Sequence, residues 1–309
     1  SGVGGIQTLE DQHKVLQEKG SRRISPFFVP KMIANIAAGQ IAIKFGLRGP
    51  NYTVVSACSS GSDAIGQAFR KIQYGETDVM LTGGSEASVT PMTIAGFGNM
   101  KALSASHNDD PEKASRPFDK DRDGFVLGEG AGMIVLESLE HAQARGADIL
   151  AEMSGYGATD DAFHITQPAE GGTGAVKAIA LALEDAGAQP EEIDYINAHG
   201  TSTHFNDKSE SAAIRTVFGA HADALKVSST KSMTGHLLGA SGAIATVACV
   251  KALEDNKVPP TINYTTPDPE CDLDYVPNTA QDRKCSTVML NAFGFGGHNA
   301  VLVIRAWST

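Results

Sequence analysis

Apolar, β-branched runs alternate along the chain with stretches whose apolar positions recur every three or four residues. That is the pattern of an α/β protein on a sheet with parallel strands. The first pass predicts a helix over 28–45, a strand over 52–57, a helix over 62–73 and a strand over 79–81. Residues 90–123 show neither period and are expected to be irregular. A strand within 125–137 and a short helix over 139–145, stopped by Gly146, complete the pass. The pattern then restarts: strand 149–156, helix 172–186, strand 193–198, helix 209–218, strand 226–229, helix 241–254, and closing strands 288–292 and 300–305.

The two passes read as copies of one unit. Ala64-Ile65, in the helix after 52–57, matches Ala243-Ile244, in the helix after 226–229. Val79-Met80-Leu81, followed by Gly128-Glu129-Gly130 and the run 133–136, matches Val288-Met289-Leu290, Gly296-Gly297 and the run 301–304. The expectation is a duplicated chain with halves 1–146 and 147–309. The second half opens with strand, helix and strand before its helix at 209, where the first has only residues 1–25. On this reading the first half lacks its leading strand-helix-strand, and the native chain is expected to be longer than Ser1-Gly2-Val3 onward.

Composition narrows the class. Hydrophobic residues make up 41% of the 309, enough for a substantial core. No run approaches the ~18 apolar residues of a membrane span, and no basic-then-apolar leader is present. A soluble, cytoplasmic protein with no membrane partner is expected. Lys and Arg total 25 against 36 Asp and Glu, a net charge of −11, which argues against nucleic acid as a partner. The four cysteines, 58, 249, 271 and 285, form no Cys-x-x-Cys pair, which argues against a structural zinc site or a disulfide framework.

Chemistry concentrates where predicted strands end. Cys58 follows the strand 52–57 in Ala57-Cys58-Ser59-Ser60-Gly61 and precedes a helix. Open α/β sheets place ligands at that edge, and a helix N-terminus lowers a thiol pKa. A small buried apolar role, the commonest fate of a free Cys, fits the position equally well. His199 follows the strand 193–198, and His236 follows the strand 226–229 by way of Lys231-Ser232-Met233-Thr234-Gly235. Two imidazoles and a thiol at one rim outweigh the packing role that would suit any one of them. The other seven histidines (13, 107, 141, 164, 204, 221, 298) occupy no strand end and read as surface or packing residues. Gly294-Phe295-Gly296-Gly297 lies between two strands, so it is expected to be a tight turn with N–H groups free for an oxyanion, not a phosphate cradle. Lys231 and Glu210 are either solvated charges or partners that set the imidazole protons.

These segments, with Asn197-Ala198-His199-Gly200-Thr201-Ser202-Thr203 and Lys231-Ser232-Met233-Thr234-Gly235-His236, resemble the signatures of the β-ketoacyl-[acyl-carrier-protein] synthases. The likeness runs the length of the chain and is nearest to the condensing enzymes of type II fatty-acid synthesis. It implies a thiolase-like fold, a duplicated α-β-α-β-α sandwich, incomplete here at the N-terminus. The implied reaction is decarboxylative condensation of acyl- and malonyl-[acyl-carrier protein]. Cys58 is implied as nucleophile, His199 and His236 as donors to the enolate, and Lys231 and Glu210 as their orienting partners. Phe295 is implied as gate and, with Cys58, as oxyanion donor. The resemblance further assigns Thr201 and Thr203 to the pantetheine arm and Val3, Phe97 and Phe293 to the substrate pocket. Arg22, Arg23 and Lys101 would dock the acidic carrier protein. It implies a homodimer and no cofactor or metal, the phosphopantetheine arriving on the carrier. His298 departs from the Thr common among relatives, and the departure bears on the Phe295 turn. A polyketide-type ketosynthase and a non-catalytic chain-length-factor subunit are the alternatives. The second usually lacks the nucleophile that stands here at Cys58.

Overall fold

The computed structural model describes residues 1–308. The elements are, in chain order, α1 (Ile6–Lys19), α2 (Phe28–Met32), α3 (Ile36–Phe45), α4 (Ser60–Gln73), β1 (Val79–Glu86), α5 (Pro91–Asn99), β2 (Gly130–Glu137), α6 (Leu139–Ala144), β3 (Ala151–Asp160) and α7 (Thr173–Ala186). There follow β4 (Tyr195–Asn197), α8 (His204–Phe218), β5 (Lys226–Ser228), α9 (Lys231–Thr234), α10 (Ser241–Asp255), β6 (Lys257–Val258), β7 (Gln281–Asp282), β8 (Thr287–Gly294) and β9 (His298–Ala306).

A five-stranded sheet in the order β3-β9-β8-β4-β5 carries the core. β8, β4 and β5 run parallel, whereas β9 is antiparallel to both β3 and β8, so the sheet is mixed rather than wholly parallel as the pattern suggested. Alternation decides the faces. Ile196, Met289, Val301 and Val303 point toward α7 and α8, packed with Ile179, Ile214 and Phe218. Tyr195, Val288, Leu290, Leu302 and Ile304 point the other way, onto Ile65 of α4 and the Ala and Cys positions of α10. Each fully buried Ile or Leu contributes about 1.5–3 kcal/mol. On the far side of α4 and α10 lies a second, two-stranded sheet, β1 paired antiparallel with β2.

α4 and α10 meet at their N-terminal ends through glycine. A methyl group on Gly61 would sit 2.7 Å from the Gly239 carbonyl, and one on Gly242 would clash with the Ser62 backbone N at 2.6 Å. Any side chain here would push apart the two turns that carry the site.

Three local expectations fail for identifiable reasons. Residues 52–56 form no regular element and Ala57 opens a 3-10 turn, because no strand among the described residues offers the segment a partner. The helix over 28–45 is split: Ile33 is extended, and the Met32 carbonyl accepts from Gly5 N–H at 2.8 Å. The supposedly irregular 90–123 contains α5, whose Thr90 side chain caps Thr93 N–H with Pro91 at the first helical position.

Candidate active site

The carboxyl ends of the parallel strands β8, β4 and β5 deliver Phe293–Phe295, His199 and Lys231–His236 to one rim, as ligand placement in open α/β sheets requires. Cys58 arrives from the opposite side on a short 3-10 turn, Ala57–Ser59, leading into α4. Ala57 has φ +50°, a conformation L residues adopt at a cost of roughly 1 kcal/mol, which turns the following side chain into the rim. Ser59 Oγ donates to the carbonyls of Ala292 and His298, fixing that turn against β8 and β9.

One ligand-capable atom from each of Cys58, His199 and His236 lies within 4.8 Å of the others, and all three residues are buried. The two imidazoles are 5.4 Å apart, nearly perpendicular. Burial, helped by the Lys231 charge, holds both pKa values well below the ordinary histidine range, so both rings are neutral at pH 7. His236 Nδ1 is 2.9 Å from Ser241 Oγ, which itself accepts from Leu237 N–H at 2.9 Å. With the Ser241 hydroxyl proton directed at Nδ1, the His236 proton sits on Nε2; with Ser241 accepting instead, it sits on Nδ1. His199 is placed by its backbone: its N–H and that of Gly200 donate to the two carboxylate oxygens of Glu210, each at 2.8 Å. Asn291 Nδ2 adds a third bond to Glu210 at 3.1 Å.

The thiol contradicts its sequence-based expectation. Burial outweighs the backbone N–H groups of Phe295 and Cys58 and the Lys231 charge, pushing Cys58 up to about 11. Those two N–H groups nonetheless converge on the sulfur, where an oxyanion hole would form. Lys231, buried, is pushed down to about 8 by desolvation against Glu210, Cys58 and Asp207. Burial raises Glu210 in turn.

A cavity of ≈ 240 Å³ opens onto the thiol, lined among others by Phe97, Lys101, Thr201, Thr203, Phe293 and Phe295. Thr201 and Thr203 hydroxyls are 2.9 Å apart, and the Phe295 ring lies 6.3 Å from Phe97. The turn at 294–297 is the tight hairpin expected, closed by Gly297 N–H to the Gly294 carbonyl. One residue predicted for the pocket lies elsewhere. Val3 is 41% exposed and does not line the cavity; its N–H faces the Glu86 carboxylate at 3.4 Å. Arg22 and Arg23 are exposed on the turn after α1 and do not line it either. His298 Nδ1 stands 3.4 Å from Asp160 Oδ2.

Sequence reasoning missed several residues. His204, read as surface or packing, lines the cavity, as does the 65% exposed Phe205. Ser241 and Asn291 were passed over because their roles depend on distant elements. Arg122, fully buried, donates to the carbonyls of Thr203 and His204 at 3.2 and 3.3 Å and to Asp268 at 2.6 Å. It thereby fixes the Thr201–Thr203 loop from beneath.

A buried thiol facing two neutral imidazoles, with two backbone N–H groups converging on its sulfur, equips the protein for covalent acyl transfer within a thiolase-like framework. Residues 1–142 match the β-ketoacyl synthase N-terminal domain and residues 150–265 its C-terminal domain. The chain belongs to the β-ketoacyl synthase family. It is 56% identical to a 3-oxoacyl-[acyl-carrier-protein] synthase 2 of Staphylococcus aureus, covering 99% of this chain and 75% of that protein. The like-named Synechocystis protein is also 56% identical, with 99% and 74% covered. Among solved structures, a β-ketoacyl synthase from Burkholderia phymatum superposes with a TM-score of 0.93 at 38% identity, covering 100% of this chain and 74% of that one. A type II polyketide ketosynthase, determined with its acyl-carrier protein, gives 0.95 at 39%, covering 98% and 76%. Among the described residues no helix is long and apolar enough to cross a membrane.

Proposed function

We propose that this chain is a 3-oxoacyl-[acyl-carrier-protein] synthase that elongates acyl chains in fatty-acid synthesis. The observation that carries this reading is the Cys58–His199–His236 cluster beneath converging backbone N–H groups, in a chain 56% identical to synthases of that name. The 39% identity to the polyketide ketosynthase is lower, which favours fatty-acid over polyketide elongation.

Cys58 attacks the thioester of acyl-carrier protein. A C–S bond forms, the carrier thiol leaves, and the Cys58 proton passes to a neutral imidazole or directly to the departing sulfur. The N–H groups of Cys58 and Phe295 hold the tetrahedral oxyanion, a contribution on the order of 10²–10³ in rate for each donor. Malonyl-carrier protein then enters. His236, with its proton on Nε2, and His199 donate to its thioester carbonyl, and the C–C bond to the carboxylate breaks to release CO2 and leave an enolate. Neutral donors aimed at charge that appears only then lower the barrier rather than the ground state. The enolate carbon attacks acyl-Cys58, and the thiolate departs to be reprotonated, leaving a β-ketoacyl product two carbons longer.

Glu210 holds the His199 backbone in place, and Lys231 supplies local positive charge. Thr201 and Thr203 hydrogen-bond the pantetheine arm, Phe97 and Phe293 contact the acyl chain, and Phe295 gates its entry. Lys101, at the cavity mouth, contacts the acidic carrier protein, with Arg22 and Arg23 further out on its docking face. No cofactor of the enzyme's own is used. The protein works in the cytoplasm as a homodimer; Ile43, Phe45 and Val135, each more than half exposed, are apolar side chains that a second copy would cover.

Mass spectrometry tests the assignment. Acyl-carrier protein should leave its acyl group on Cys58, and Cys58→Ala should abolish condensation while malonyl decarboxylation persists. Full condensation by Cys58→Ala would refute it.

A further inference from the structure

Cys58, His199 and His236 place one sulfur and two nitrogen donors within 4.8 Å of one another on three separate elements. Their burial, at 7%, 3% and 2% exposure, leaves little water to compete for them. That donor set is a mixed S/N one. It suits zinc and its softer neighbours, whereas Mg²⁺ and Ca²⁺ demand oxygen. A tetrahedral Zn²⁺ has bonds of ~2.3 Å to sulfur and ~2.0–2.1 Å to nitrogen, so its ligand atoms stand roughly 3.3–3.6 Å apart. Closing from 4.8 Å or less to that spacing asks for about an ångström of side-chain movement, within the reach of χ rotation for a Cys and two His.

The surroundings permit the ring nitrogens to be offered. His199 Nδ1 is buried with no hydrogen-bond partner, so no neighbour fixes which nitrogen of that ring is protonated. His236 Nδ1 faces Ser241 Oγ at 2.9 Å. A hydroxyl can accept as readily as donate, so the His236 proton can move to Nδ1 and point at Ser241, freeing Nε2 as a ligand. An oxygen hydrogen-bonded to the far ring nitrogen is the usual partner of a metal-bound histidine.

We propose that Cys58, His199 and His236 form a three-point site for a thiophilic divalent cation of the Zn²⁺ class, and that the cation is an inhibitor and not a cofactor. Binding converts Cys58–SH and M²⁺ into Cys58–S–M⁺ and a proton released to solvent, with two nitrogen lone pairs completing three positions and water or an incoming thiol taking the fourth. The sulfur lone pair is then committed and both imidazoles are occupied, so neither thioester formation nor enolate stabilisation proceeds. The binding half stands on geometry alone; the inhibition half rests on the catalytic roles proposed above.

Co²⁺ alone, added to the protein as it exists, is the first probe. The expected result is one equivalent bound, with the ligand-field and thiolate charge-transfer bands of a tetrahedral S/N site. The bands should be absent in Cys58→Ala, and His199→Asn and His236→Asn should each weaken binding by about tenfold or more. Zn²⁺ should slow iodoacetamide alkylation of Cys58 at least tenfold, with EDTA restoring the rate. Bands that persist in Cys58→Ala, from surface groups or from Cys249, Cys271 or Cys285, would overturn the proposal. So would alkylation of Cys58 unaffected by saturating Zn²⁺. Metal binding and protection in a protein that fails to condense substrates would leave the site standing and refute the function. Condensation with neither binding nor protection would do the reverse.

Discussion

Glu210 is where stability and chemistry are most tightly joined, and removing its carboxylate separates them. The side chain is 1% exposed and accepts from the N–H groups of His199 and Gly200 and from Asn291 Nδ2. Both N–H groups lie at the carboxyl end of β4, where no ladder partner can replace the carboxylate. Glu210→Ala leaves the two buried donors unpaired at about 1–3 kcal/mol each, or about 2–6 kcal/mol in all. That is a large share of the ~5–15 kcal/mol that holds a typical domain. Glu210→Gln keeps one accepting oxygen and turns an NH₂ toward the other donor, so it should lose about half as much. It also removes a carboxylate that burial already disfavours. Urea unfolding measures the loss. Activity gives the second readout: with its backbone anchor gone His199 shifts, and malonyl decarboxylation should fall by ~10². The Cys58 turn does not touch Glu210, so iodoacetamide should alkylate Cys58 in folded protein at close to the unsubstituted rate. An unfolding free energy of Glu210→Ala within about 0.5 kcal/mol of the unsubstituted protein would refute the reasoning. Decarboxylation and alkylation falling in parallel would refute it too, because that would mean general disruption.

Three further predictions follow from the same geometry. Lys231 is depressed to about 8 against an unfolded value of 10.5, so between those pH values the unfolded chain binds more proton and the Lys231 contribution to stability rises with pH. The penalty for its buried charge, fully present below pH 8, is about 3 kcal/mol at ~1.4 kcal/mol per unit. Subtracting the pH–stability curve of Lys231→Met from that of the unsubstituted protein should expose this rise between pH 8 and 10.5, and a flat difference would remove it. Ser241→Ala strands Leu237 N–H and frees the His236 tautomer, so decarboxylation should drop about tenfold or more, with Ser241→Thr restoring most of it; equal rates in all three would show that Nδ1 needs no partner. Arg122→Lys, which can reach only one of the carbonyls that Arg122 spans, should raise KM for carrier-linked substrates about tenfold while leaving decarboxylation kcat near normal. A fall confined to kcat would place Arg122 in another role.

The site was legible because it is built mostly from strand ends. Each of β4, β5 and β8 is short or β-branched, each is followed by Gly-containing sequence, and the carboxyl edge of parallel strands is one place in space. Expecting strands to end at Ala198, Ser229 and Ala292, close to the observed ends, therefore brings His199, Lys231, His236 and Phe295 together. What resisted reading was everything that depends on a partner far along the chain. Residues 52–57 have strand composition, yet a strand exists only if another offers its hydrogen bonds. Met32 ends a helix because the Gly5 N–H claims its carbonyl. The thiol shows the same limit in its energetics. Position at a helix entrance argues for a lowered pKa, but the sign is set by how much water the surrounding core excludes. At Cys58 that exclusion outweighs two N–H groups and a lysine charge. A raised thiol and a lowered lysine beside two neutral imidazoles are one consequence of one cause. The site is dry, so the thiol and both imidazoles are held uncharged and Lys231 binds its proton less tightly, until substrate brings the charge that the N–H groups of Cys58 and Phe295 are placed to meet.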